Sequence, residues 1–306
     1  MKAKLQSAID KARVIGKGIY PTFLVYEVTK YENVLVNNEQ KYAYKGYPVV
    51  KPLEFKLREL PKYLEGPARA YKVIKDKNEL KDLYCNVLNS DIYDEKLKMY
   101  KTSADLDNES LEIGRIRAFT KGWLERESNF MHMTYKYMYG LLKAELYDEF
   151  YDTIKTNMVC NIDAKMYGRS PLEASSFIAT SNNPDYETHG QGFVARLSGT
   201  TAEMLSIYLT MMSGGKPFIM DNNELKLNLR PKLTSRYIKN DKTVSFTLLS
   251  DVKVTYIFDE IKDTFNMNAY KYELINDQIK EVNEVKGEDA IDVRNGFYKE
   301  IKVYMK

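Results

Sequence analysis

Apolar positions along the chain change their period near residue 215. Before it they recur mostly at helical spacing, and after it they alternate. Residues 2–15 predict an amphipathic helix with Leu5, Ala8, Ile9, Ala12 and Ile15 on one side, ending near Gly16-Lys-Gly18. Thr22–Val28 predicts a short strand, rich in β-branched and aromatic residues. Residues 29–60 are read as loop and strand material around a Gly46 turn, with Pro48 and Pro52 speaking against regular structure. Short helices are predicted over 77–84 and 92–100, and a polar loop over Asp105–Ser110.

The strongest helical signal covers 129–146, where Phe130, Met131, Met133, Met138, Leu141, Leu142 and Leu146 form more than one narrow stripe, as on a helix buried on most sides. A second helix follows over 147–158, with Tyr147, Phe150, Tyr151 and Ile154 apolar. So short a connection predicts an antiparallel pair. A third helix runs from Ser198-Gly199 to about Met212, with Thr200 and Glu203 spaced as a capping box. Beyond Gly214-Gly215, alternation marks strands at Leu225–Arg230, Val244–Leu249, Val252–Phe258 and Asn268–Leu274, and the tail Phe297–Tyr304 is read as closing a sheet edge. A hairpin turn is read at Asp221-Asn-Asn.

Bulk composition narrows the classes. Lys and Arg total 46 against 43 Asp and Glu, a net +3, which is too balanced for nucleic-acid binding to be the default. No stretch approaches the roughly 20 apolar residues of a membrane span. The first residues lack an apolar signal-peptide core. Two cysteines, Cys85 and Cys160, in a chain of 306 residues fit a reducing, cytoplasmic compartment.

Candidate chemistry gathers around the two histidines, His132 and His189. They show no ligand spacing with the cysteines, so a metal site is not expected. Ser198-Gly199-Thr200-Thr201 opens a helix whose free N–H groups and positive dipole end suit a phosphate, although the same residues also serve as an ordinary cap. The pattern is neither a Walker loop nor a Rossmann fingerprint. Glu125, Glu127, Glu173 and Glu187 offer carboxylates near the polar loops, each equally compatible with a solvated charge.

Three segments taken in order carry a resemblance over roughly residues 60–260. They are Ile113-Gly-Arg-Ile-Arg-Ala-Phe-Thr-Lys-Gly-Trp-Leu-Glu-Arg-Glu-Ser-Asn-Phe-Met-His132, Gly140-Leu-Leu-Lys-Ala-Glu-Leu-Tyr-Asp-Glu-Phe150 and the glycine-rich stretch from Tyr167 to Glu203. Together they resemble the C-terminal part of cellobiose-phosphorylase-like proteins of glycoside hydrolase family 94 or a close relative. The resemblance implies a mainly α fold: part of an (α/α)6 helical barrel over residues 1–215, with a β-rich insertion near 20–60. An antiparallel, β-sandwich-like domain over 216–306 would follow.

The implied activity is cleavage of a β-glucoside by inorganic phosphate, giving α-glucose 1-phosphate with inversion. Phosphate acts as co-substrate, with no metal and no other cofactor. His132 and the Ser198-Gly199 pair match the family's phosphate-binding positions, and Arg196 could add charge. Glu125 matches the acceptor-sugar contact, Ser176 falls nearest the donor-sugar position, and Glu173 lies beside it as a further sugar-site carboxylate. Arg126 stands where the family usually has Asn. The family's aspartate general acid has no counterpart between Met1 and His132, where Asp91, Asp94 and Asp105 are poor substitutes.

The expectation is therefore a C-terminal portion that holds phosphate but lacks its own general acid, partnered by a chain completing the barrel or by a second copy of itself. No nucleic-acid or membrane partner is expected. A non-catalytic carbohydrate-binding or assembly subunit is the alternative, and an inverting hydrolase a third.

Overall fold

The alternation read at Thr22–Val28 continues much further than the prolines suggested. The structure, a computed structural model, describes residues 1–195, 198–249 and 251–306. It falls into two units, Met1–Thr200 and Thr201–Lys306. Unit 1 begins with helix α1 (Lys2–Ile15), none of whose residues is buried. A long antiparallel ribbon follows, made of β1 (Leu24–Asn33) and β4 (Val50–Glu59), with the short pair β2 (Leu35–Val36) and β3 (Glu39–Gln40) at its tip. Pro52 sits inside β4 opposite Tyr31. It is tolerated because each strand of a two-stranded ribbon is an edge, where a missing N–H need break no ladder bond.

The core of unit 1 is helical and aromatic. It uses α2 (Glu65–Ala70), α3 (Lys77–Leu88), α4 (Met131–Lys143) and α5 (Tyr147–Asn157). The Asp76 carboxylate caps α3 by accepting the Glu79 amide at 2.9 Å. α4 buries Met131, Tyr135, Tyr137, Met138, Leu141 and Leu142, and it packs on α2 and α5. Tyr71, Tyr100 and Tyr137 form a chain of tilted and edge-on rings, with centroids 4.6 and 5.4 Å apart. Gly140 lets α4 come this close, since a Cβ there would lie 2.8 Å from that of Tyr71.

The helix predicted over 92–100 is instead a hairpin, β5 (Tyr93–Asp94) and β6 (Met99–Tyr100). The cause is local. The Asp94 carboxylate accepts the amides of Lys96 and Leu97 at 3.1 and 3.2 Å, closing a turn that competes with helix, and Lys98 takes the left-handed conformation at φ 55°. Unit 1 also holds a small three-stranded sheet of β7 (Asn129–Phe130), β8 (Ser175–Ile178) and β9 (Gly192–Ala195), with the short helix α6 (Ala164–Tyr167) before β8.

Helix α7 (Ser198–Ser213) starts at the end of unit 1. Because it begins at Ser198, Thr200 lies within its first turn and cannot be the N-cap. The predicted capping box is not made, and the Thr200 hydroxyl oxygen has no partner among the described residues.

Unit 2 contains the hairpin β10 (Phe218–Asp221) and β11 (Glu224–Leu227), and a five-stranded sheet. The sheet comprises β12 (Thr243–Leu248), β13 (Val252–Phe258), β14 (Ala269–Ile275), β15 (Ile279–Val282) and, after helix α8 (Glu288–Arg294), β16 (Glu300–Met305). Its order is β12-β13-β16-β14-β15, and β13 and β16 run parallel, so the C-terminal strand read as an edge is the central one. Alternation is clean: Val252, Val254, Tyr256 and Phe258 of β13 and Ile301, Val303 and Met305 of β16 are buried. The Tyr256 hydroxyl donates to the Met212 carbonyl at 2.6 Å.

This architecture overturns the mainly α, helical-barrel expectation. The chain is 33% helix and 27% strand, with its strands in several small sheets. The helical periodicity of the first 215 residues belongs to helices separated by ribbons and hairpins rather than to a ring of paired helices. Nor is the second part a sandwich of antiparallel sheets, because five of its strands form one mixed sheet and the other two a separate hairpin. No helix among the described residues is long and apolar enough to cross a membrane.

Candidate functional site

The site in unit 1 is built on the passage from β7 into α4. Residues 126–130 are pinned by the strand-like segment 100–103. The Thr102 amide and hydroxyl both donate to the Ser128 carbonyl, at 2.7 and 2.9 Å, and the Phe130 amide donates to the Thr102 hydroxyl at 3.2 Å. Asn129 is fully buried. It accepts the Thr134 hydroxyl at 2.6 Å and donates to Asn157 at 3.2 Å, while Asn157 also accepts the Tyr100 amide. These bonds fix how the chain enters α4. Phe130 stacks on Phe177 of β8 at 4.7 Å and meets the His132 ring edge-on at 5.9 Å.

His132, half-buried in the first turn of α4, is held against the first turn of α7. A Cβ built on Gly199 would lie 2.6–2.7 Å from three atoms of the imidazole, so any side chain there must displace the ring. An imidazole and the opening turn of a helix, the end that favours anions, therefore lie against each other. The Thr200 side chain beside them is 1% exposed, with its unpartnered hydroxyl. Arg196 lies outside the described residues, as does the side chain of Ser198.

The other predicted positions are spread around this point. Glu125 accepts Arg115 Nη2 at 2.9 Å. Ser176 is fully buried in β8. Glu173 is exposed, 3.5 Å from Arg169 Nη1. His189 serves the loops: its Nε2 lies 2.8 Å from the Asn183 carbonyl and its Nδ1 3.2 Å from Lys96 Nζ. A carbonyl only accepts and an ammonium only donates, so the proton of this imidazole sits on Nε2.

Sequence reasoning offered Glu127 only as one of four candidate carboxylates, and the structure sets it apart from the other three. Only 1% of it is exposed, and its backbone is left-handed at φ 54°. Oε1 accepts Asn182 at 2.6 Å, whereas Oε2 has no hydrogen-bond partner among the described residues. Arg126 Nε, equally unpartnered, is 3.9 Å from Oε2, too far for a hydrogen bond. The remaining guanidinium nitrogens are engaged by the Arg117 and Phe119 carbonyls at 2.8 and 3.0 Å, and by Asp107. Burial pushes the Glu127 carboxyl above its ordinary value, opposed by the Asn182 amide and the Lys121 charge. Lys121, at 2.6 Å, and Arg126 hold Asp107 below its own ordinary value. A carboxyl raised in this way gives up its proton less readily than an exposed glutamate. Nothing in the pattern of Gly122-Trp-Leu-Glu-Arg-Glu127 marks which glutamate is buried.

Compared with known protein families and with curated proteins, the chain matches none.

Proposed function

We propose that unit 1 binds inorganic phosphate or a sugar phosphate beside His132 where it meets the start of α7, as the phosphate-holding part of a glycoside phosphorylase site. The observation that carries this reading is the imidazole seated on the Gly199 backbone. A phosphate acting as nucleophile must be positioned and its charge balanced, and helix N–H groups with a histidine supply both. The buried, unpartnered Thr200 hydroxyl adds a polar group that water does not reach. The reading stands without a helical barrel, which the fold excludes.

Calorimetric titration of inorganic phosphate and of α-glucose 1-phosphate tests it. Saturable binding is expected. His132→Ala should weaken it about tenfold, roughly 1.4 kcal/mol, and Gly199→Ala more, because the added methyl must displace the imidazole. Absence of binding, or binding that both variants leave unchanged, overturns the proposal. Incubation with α-glucose 1-phosphate and glucose or cellobiose as acceptor then asks for turnover. Binding without phosphate release is the outcome expected of a site lacking its general acid.

A further inference from the structure

The β1–β4 ribbon has two chemically distinct faces. On one, Glu27 ion-pairs with Arg58, Lys30 lies 3.3 Å from Glu54, and Glu32 stands opposite Lys51. The other face carries Tyr26 and Leu57, then Val28 and Phe55, with Leu24 at one end and Tyr31 and Leu53 beyond the irregular pairing near Thr29. Tyr26 and Phe55 meet edge-on at 6.4 Å, as same-face diagonal neighbours should. This apolar face is open: Tyr26 is 67% exposed, Tyr31 57% and Phe55 56%, with Leu24, Val28 and Leu53 at 40–43%. At its base the ribbon is firmly held, because Arg58 makes a two-pronged bond to Glu109 at 2.8 and 2.9 Å. A held, two-stranded ribbon with an uncovered apolar face is marginal in water unless something packs on it.

We propose that a second copy of this chain packs its own ribbon face to face on this one. Charge distribution agrees with such a partner. The pairs of Glu27 with Arg58 and Lys30 with Glu54 lie on the opposite face, and the one carboxylate on the apolar side, Glu59 opposite Leu24 at the base, is neutralised by Lys62 at 3.3 Å, so the tips of two apolar faces can meet without like charges across a two-fold axis. Size agrees as well. The three aromatics expose on the order of 100–150 Å² each, and the aliphatics bring the face to roughly 500–600 Å² per copy. Two copies then cover about 1,000–1,200 Å², at the lower bound of stable interfaces. Addition of a strand to the ribbon edge is disfavoured, because the irregular pairing at Thr29 and Leu53, Pro52 and the flanking lysines all blunt the edges.

Sedimentation equilibrium of the full chain from about 1 to about 100 µM tests this. A reversible dimer is expected. Phe55→Lys and, separately, Tyr26→Lys should weaken it at least tenfold, whereas Lys56→Ser on the charged face should leave it unchanged. Both lysine variants alter exposed side chains, and an unaltered far-ultraviolet circular dichroism spectrum shows that each folds. Hydrogen exchange gives an independent readout: β1 and β4 amides should become more protected as protein concentration rises. A monomer throughout this range, or a dimer indifferent to both lysine variants, overturns the proposal. So does a monomer that uses the face for a different protein.

Discussion

The ribbon of unit 1 and the sheet of unit 2 are written in the same alternating code and end in opposite environments. In β13 every second residue, Val252, Val254, Tyr256 and Phe258, is buried, and α8 contributes the buried Ala290 and Val293. In β1 the corresponding residues, Leu24, Tyr26 and Val28, are exposed. Period-two alternation therefore reports that a strand has an apolar face, and says nothing about whether that face is covered.

The sharpest way to break this comparison is to truncate a side chain at the centre of the sheet. Tyr256→Ala should cost about 3–5 kcal/mol in urea unfolding, because the side chain is fully buried, stacks on Phe246 and loses its bond to Met212. A loss below about 1 kcal/mol would mean that the two regions are packed alike.

Next in size is Glu273 of β14, which accepts the Tyr304 hydroxyl at 2.6 Å with Lys271 and Lys302 nearby. These partners, the Tyr304 bond first, hold its carboxyl below the ordinary value of 4.5. Its contribution is thus present above pH 4.5 and lost as pH falls through the lower folded value. Glu273→Gln should cost about 1 kcal/mol at neutral pH, with the deficit disappearing in acid. A deficit independent of pH would remove the ionised carboxylate from the account.

Glu127 should behave with the opposite sign. Burial raises its pKa, so the folded chain holds this proton more tightly than the unfolded chain. Stability is therefore lost as pH rises from 4.5 through the folded value. Glu127→Gln should melt higher than wild type above that window and show no such advantage below it. The reverse trend in a pH series of thermal melts would show Glu127 to be a satisfied ion pair with Arg126.

The smallest effect belongs to the ribbon. Phe55→Ser should change monomer stability by no more than about 0.5 kcal/mol, measured at a concentration where the chain is monomeric, because its ring is already in water. A larger loss would show that the apolar face packs within the monomer.

Helices with strong periodicity were legible in the sequence: α1, α4, α5 and α7 fall close to where 3.6-residue spacing places them. So were the main strands of unit 2. The hairpin at Tyr93–Tyr100 was not, because the Asx-turn at Asp94 outweighs a weak helical pattern. Strand direction was not legible either, since alternation is identical in parallel and antiparallel neighbours, and β13 with β16 is a long-range pair. At the site, a helix opening at Ser198-Gly199 could be read from small polar residues. The seat of His132 on Gly199 lies across a sequence gap that no local pattern spans, and Glu127 looks like any surface glutamate until its burial is known.

The position of β16 bears on how the protein is made. β16 comes after every other strand of its sheet in the chain, yet it takes the central place between β13 and β14. On the ribosome, β12–β13 and β14–β15 can each close as hairpins, but their inner edges must wait, unpaired, until residues 300–305 emerge. Those two edges are the interval of greatest aggregation risk in the synthesis of the chain, and a nascent-chain chaperone would find its binding surface there.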